Sequence, residues 1–124
     1  MRVLKKILLV DDDQRNIFAL NAVLKARGFL CETASGALHG IERLNRDNDI
    51  GIILMDIMMP GMDGYEAIAR IRGNPATANI PVIAVTAQAM AGDKERCLAV
   101  GANGYVSKPV DVDLLMDLLN EYLK

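Results

Sequence analysis

Short runs of apolar residues recur along this chain, and between them apolar side chains return at every third or fourth position. A strand buried on both faces reads as an unbroken apolar run, whereas a helix that covers a sheet shows one apolar stripe with a 3.6-residue period. The alternation therefore predicts successive βα units around a buried parallel sheet. The first strand is Ile7-Leu8-Leu9-Val10, followed by a helical stripe of Ile17, Leu20 and Leu24 that Gly28 stops. Leu30 to Thr33 is a weaker second strand, and Ser35 is placed to cap a helix carrying Leu38, Ile41 and Leu44. Ile52-Ile53-Leu54-Met55 is the third strand, and its turn-rich loop Pro60-Gly61-Met62-Asp63-Gly64 leads into a helix bearing Tyr65, Ile68 and Ile71. Pro81 to Val85 is the fourth strand, with a helix reaching about Ala99. Gly104-Tyr105-Val106-Ser107 is a fifth, shorter strand, and Leu114, Leu115, Leu118, Leu119 and Tyr122 stripe the last helix. No repeat, low-complexity tract or linker interrupts this order, so residues 1–124 are expected to form one domain.

Composition narrows the function classes. With 52% hydrophobic residues the chain can bury a core without a disulfide or a structural metal. Fourteen basic residues against sixteen acidic ones, no basic run, and only three Tyr, two Phe and no Trp disfavour direct nucleic-acid binding. Cys31 and Cys97 form neither a disulfide framework nor a zinc motif, and they read as reduced core residues of a cytoplasmic protein. No apolar stretch reaches the roughly eighteen residues of a membrane span, and the four apolar residues after Lys6 are too few for a signal peptide.

In an open α/β sheet the ligand crevice lies beyond the carboxyl ends of the strands. The first strand ends in Asp11-Asp12-Asp13, the third runs into Asp56, the fourth ends at Thr86, and Lys108-Pro109 follows the fifth. Carboxylates that converge on one edge repel each other unless protonated or neutralised by a cation. A hard ion such as Mg²⁺ suits them, since it takes one or two carboxylates together with phosphate oxygens. Lys108 and the Thr86 hydroxyl then supply a positive charge and a donor for phosphoryl oxygens, and an Asp in such a setting is a competent nucleophile toward phosphorus.

These segments, namely Leu8 to Asp13, Leu54 to Gly64, Val85-Thr86-Ala87 and Tyr105 to Pro109, resemble in order and spacing the receiver domains of two-component signalling. The resemblance covers essentially the whole chain. It implies a flavodoxin-like, doubly wound α/β fold with five parallel strands in the order 2-1-3-4-5 and five helices. It also implies a switch that takes a phosphoryl group on Asp56, with no turnover of an external substrate. Mg²⁺ would be bound by Asp12, the Asp56 carboxylate and the Met58 carbonyl, with Asp11 acting mainly through a water. Thr86, Lys108 and Tyr105 would respond to the phosphoryl group, and the Lys108-Pro109 bond would be cis. The implied partners are a sensor histidine kinase or histidine phosphotransfer protein, and a downstream protein that reads the face of the fourth helix, fifth strand and fifth helix. Met1 and a complete final stripe point to a free-standing regulator, although a receiver excised from a hybrid kinase has the same ends.

Plainer readings stand beside these. An isolated Asp-Asp-Asp is usually a solvated turn, Thr86 suits a strand by its β-branch, and Tyr105 fits a half-buried strand aromatic. His39 reads as a surface residue and the methionines 55, 58, 59 and 62 as packing. Asp11, Asp13, Thr86 and Lys108 also mimic a haloacid-dehalogenase-type phosphatase, which leaves Asp56 unexplained. A nucleotide- or flavin-binding module would need a glycine- or hydroxyl-rich loop where this chain has three carboxylates. Met58 and Gln88 are the two positions expected to flank the line of attack on phosphorus. Neither supplies a charged base, so a long-lived phosphoprotein is expected.

Overall fold

The computed structural model describes residues 5–47, 49–87 and 92–123. The elements follow the predicted alternation: β1 Lys6–Val10, α1 Gln14–Ala26, β2 Cys31–Ala34, α2 Ala37–Arg46, β3 Ile50–Asp56, α3 Gly64–Gly73, β4 Val82–Thr86, α4 Asp93–Val100, β5 Gly104–Ser107 and α5 Val112–Tyr122. The strands pair in parallel as β2-β1-β3-β4-β5, which is the expected order. The even-numbered side chains of β1 and β4 and, in β3, Ile53 and Met55, with Ile50 ahead of the register shift, pack with α2, α3 and α4 in one apolar layer. The opposite side chains of those strands meet α1 and α5 in the other. All five strands therefore point the same way, and their carboxyl ends gather the predicted chemistry on one edge.

Local chemistry explains where the helices begin and end. Asp13, Asp63 and Asp111 cap α1, α3 and α5 with side-chain oxygens that accept from first-turn N–H groups. Gly28 takes φ 90° beyond α1, and the bonds Phe29 N–H to Leu24 C=O and Gly28 N–H to Lys25 C=O close the paired motif that favours glycine there. Among the described residues no helix is long and apolar enough to cross a membrane.

Four sequence expectations need correction. Ser35 does not cap α2: Gly36 holds that position without a side-chain bond, and the Ser35 N–H instead donates to His39 Nδ1 at 3.3 Å. Leu38 lies outside the core at 58% exposure, because the covered face of α2 is Ala37, Gly40 and Leu44. Leu114 is likewise exposed, and Met116 joins Leu115 and Leu119 in its place. Cys97 is buried as expected, but Cys31, on an edge strand, is only half-buried, and both are free thiols.

Candidate functional site

The three consecutive aspartates after β1 divide their work. The Asp11 N–H donates to the Ala34 carbonyl at 3.1 Å, which carries the sheet ladder one residue past the strand and turns the Asp11 side chain into the edge. There Asp11 is buried, and its Oδ1 accepts from the Asp13 N–H at 2.9 Å. Its Oδ2 accepts from the Asn16 side-chain amide and, at 3.0 Å, from Lys108 Nζ. Asp13 turns the other way to cap α1, and Asp12 between them is exposed.

Asp56 ends β3 and is only 4% exposed. Its neighbours hold it on both sides in sequence. Asp56 pairs with Val85 of β4, and the next N–H, from Ile57, donates to the Val85 carbonyl at 3.1 Å. Gly64 then brings the loop back, with its N–H on the Ile57 carbonyl at 2.9 Å. A Cβ at Gly64 would stand 2.5 Å from the Asp56 carbonyl oxygen and 2.6 Å from Ile57 Cα, so only glycine permits this approach.

Lys108 closes the site from the far side of the sheet. Its N–H donates to the Thr86 carbonyl at 2.7 Å, and its Nζ lies 3.0 Å from Asp11 Oδ2 and 3.4 Å from Asp56 Oδ1. The Lys108-Pro109 bond is cis, as expected. Carboxylate oxygens of Asp11, Asp12 and Asp56 all lie within 4.8 Å of one another. Such a set of hard oxygens, with one member open to solvent, fits a small divalent cation of the Mg²⁺ type better than a soft-metal site.

Electrostatics separate the two buried acids. Burial, and then the nearby Asp11 charge, push the Asp56 carboxyl up to about 7 against the pull of Lys108. Asp11 suffers burial too, but the Asp13 N–H, the Asn16 amide and Lys108 outweigh it and hold its carboxyl below the ordinary range. Lys108 is held above its usual value because the two carboxylates overcome its own desolvation.

Thr86 is buried at the end of β4, and Tyr105 of β5 is half-buried against the α2–α3–α4 layer. Met58 stands exposed two residues after Asp56, while Gln88 lies outside the described residues. The structure thus gathers Asp11, Asp12, Asp56 and Lys108 into one cluster, with Thr86 tied to it through the Lys108 N–H. Sequence reasoning missed Asn16 altogether, and it named Asp13 and Gly64 without the capping and close-approach roles they hold. Asp13 was legible as an Asp just ahead of a helical stripe, and Gly64 as the last residue of a turn-rich loop. Nothing in the spacing pointed to Asn16.

Comparison with known proteins places this geometry. Residues 7–120 match the family model described as the response regulator receiver domain. The chain is 41% identical over 116 residues to part of the sensor histidine kinase RcsC of Escherichia coli K12, covering 94% of this chain but only 12% of that protein. It is 33% identical over 119 residues to the polar-differentiation response regulator DivK of Brucella ovis, with 96% of each chain covered. The solved receiver domain of the sensor histidine kinase PA1611 of Pseudomonas aeruginosa superposes with a TM-score of 0.87 at 32% identity, covering 97% of this chain and 98% of that one. That structure has a magnesium ion coordinated in its active site cleft.

Proposed function

We propose that this chain, which belongs to the response regulator receiver domain family of two-component signalling, is a phosphorylation switch whose Asp56 accepts a phosphoryl group from a phosphohistidine. The observation that carries the reading is the meeting of Lys108 Nζ with both buried carboxylates, 3.0 Å from Asp11 and 3.4 Å from Asp56. A cation already in contact with a nucleophilic carboxylate counters the charge that arrives with phosphorus. An oxygen of the ionised Asp56 attacks, the N–P bond to the donor imidazole breaks, an O–P bond forms, and the imidazole takes up a proton from solvent as it leaves. The product is an acyl phosphate.

Asp12 and Asp56, with the Met58 carbonyl and with Asp11 through a water, would hold Mg²⁺. When bound, that ion supplies the positive charge that makes three carboxylates and a phosphoryl group compatible. Asp56 provides the nucleophile, Lys108 meets a phosphoryl oxygen, and Thr86 donates its hydroxyl to another. As Thr86 is drawn inward, the Tyr105 ring takes the space it leaves, and the face of α4, β5 and α5 changes for a downstream protein. The donor is a sensor histidine kinase or a histidine phosphotransfer protein, and the setting is the cytoplasm. The chain assists its own phosphorylation and dephosphorylation without turning over an external substrate.

Phosphoramidate or acetyl phosphate with Mg²⁺, followed by mass spectrometry, is expected to place one label on Asp56. Chelation is expected to abolish labelling and Asp12→Ala to slow it. Label retained in Asp56→Asn, or labelling indifferent to chelator, would overturn the assignment.

A further inference from the structure

Leu38 occupies the first turn of α2 and is 58% exposed, although leucine is costly to leave in water and this one adds nothing to the core. It does not stand alone. Leu38 and His39 form one wall of a groove of about 230 Å³ whose other wall is Pro60, Gly61 and Met62, and no Asp, Glu, Lys or Arg among the described residues lines it.

The groove opens on the edge that carries the acidic site. Its first wall follows Ala34, whose carbonyl receives the Asp11 N–H, and its second begins four residues beyond Asp56. We propose that this groove seats an apolar side chain of the phosphohistidine-bearing protein, next to the histidine that delivers the phosphoryl group; the proposal rests on the reading of Asp56 as phosphoacceptor. Asp56 is nearly buried, so a macromolecular donor has to lay its surface across the mouth for its imidazole to reach. The surface beside that imidazole then covers the adjoining groove.

The chemistry of the lining selects the occupant. A charged partner side chain seated there would lose water and meet no carboxylate, ammonium or guanidinium among the described lining residues, where the His39 Nδ1 already accepts from the Ser35 N–H, whereas an aliphatic or aromatic one would bury its own area together with that of Leu38 and Met62. A small phosphodonor reaches the mouth without touching the groove. The groove therefore adds recognition of protein donors and leaves the chemistry at Asp56 untouched.

Leu38→Glu tests this, since the residue is exposed and the substitution costs no core packing, and Leu114→Glu on α5, also exposed, is the control. Each variant is labelled with phosphoramidate, and separately by the phosphorylated kinase or phosphotransfer domain that labels the wild-type chain fastest in a survey of such proteins. Expected for Leu38→Glu is a rise of about tenfold or more in KM for the protein donor, the size typical of losing one central anchor. Its phosphoramidate rate should stay within about twofold, and Leu114→Glu should match wild type with both donors. An unchanged KM in Leu38→Glu overturns the proposal, as does an equal loss with both donors, or failure of every phosphohistidine protein to label a chain that phosphoramidate labels. If sedimentation shows that Leu38→Glu abolishes self-association while transfer is unchanged, the groove belongs to a second copy and the proposal falls. Failure of phosphoramidate to label Asp56 in the wild-type chain instead removes the phosphoacceptor reading itself.

Discussion

Asp56 and Asp11 are both carboxylates buried on one sheet edge, yet their surroundings set them apart. Asp11 has three donors, and Asp56 has burial and a like charge against one lysine. The Asp56 carboxyl is raised from 3.8 to about 7, so the folded state holds its proton over a range in which the unfolded chain has released it. Its contribution to stability is full below the unfolded value and is lost as pH rises through the folded one. In chelator, the stability of the wild-type chain relative to Asp56→Asn is therefore expected to fall from about pH 4 to above pH 7, by on the order of 1–3 kcal/mol. Urea titrations of both proteins across that range measure it, and a constant difference would show that Asp56 is not destabilised by ionising. Met58 concerns the phosphorylated state. Its exposed thioether chain, two residues after Asp56, offers an attacking water little to bond to, so Met58→Asn is expected to shorten the lifetime of the acyl phosphate several-fold. Decay followed after donor removal checks this, and an unchanged lifetime would show that Met58 does not shield phosphorus. At this scale the residues legible in the sequence were those standing at strand ends, because a strand's direction fixes where its last residue points. Asn16 was not legible, since its contact with Asp11 depends on how α1 leaves the loop.

Helices were read by their apolar stripes, and the stripes misled at their margins. A stripe of two adjacent leucines, such as Leu114-Leu115 or Leu118-Leu119, is wider than the face a sheet can cover, so one edge of it falls to solvent. In α5 that edge is Leu114, and Met116 completes the buried face. In α2 the small residues Ala37 and Gly40 sit against the sheet, Gly40 so close that a Cβ would meet Val10 Cγ2 at 2.9 Å, and Leu38 is turned outward. Composition hides this arrangement, because a glycine in a helix reads as a weakness and not as a contact. The two classes of leucine should separate in stability. Leu115→Ala is expected to cost about 2–5 kcal/mol, and Leu114→Ala to stay within about 0.5 kcal/mol. Denaturant melts of the pair decide it, and equal losses would mean that α5 is rotated from the orientation described.

For the molecule as a whole, strand order was partly written in the apolar runs. β1, β3 and β4 are flanked on both sides and carry the apolar runs Ile7 to Val10, Ile52 to Met55 and Val82 to Val85. β2, Cys-Glu-Thr-Ala, and β5, Gly-Tyr-Val-Ser, are the two edges and read weakly. Weakness places both at edges but does not say which edge is which; that came from resemblance, and the pairing of β1 with β2 and of β4 with β5 agrees with it. The arrangement has a functional consequence. Asp11 and Asp56 stand on the central strands, while Lys108 comes from the β5 edge and is bonded through its N–H to Thr86, so the site spans the sheet from its middle to one side only. A change of charge at Asp56 is therefore expected to pull on β4 and β5 through Thr86 and Lys108, whereas β2 has no comparable side chain in the cluster. Beryllofluoride, a phosphoryl mimic, is accordingly expected to alter amide hydrogen exchange in α4, β5 and α5 much more than in β2 and α2. Asp56→Asn should remove the response altogether, and Thr86→Ala should keep mimic binding while weakening the response at β5. A response confined to the loops around Asp56, or spread evenly over both sheet edges, would show that the signal does not travel through the β4–β5 side.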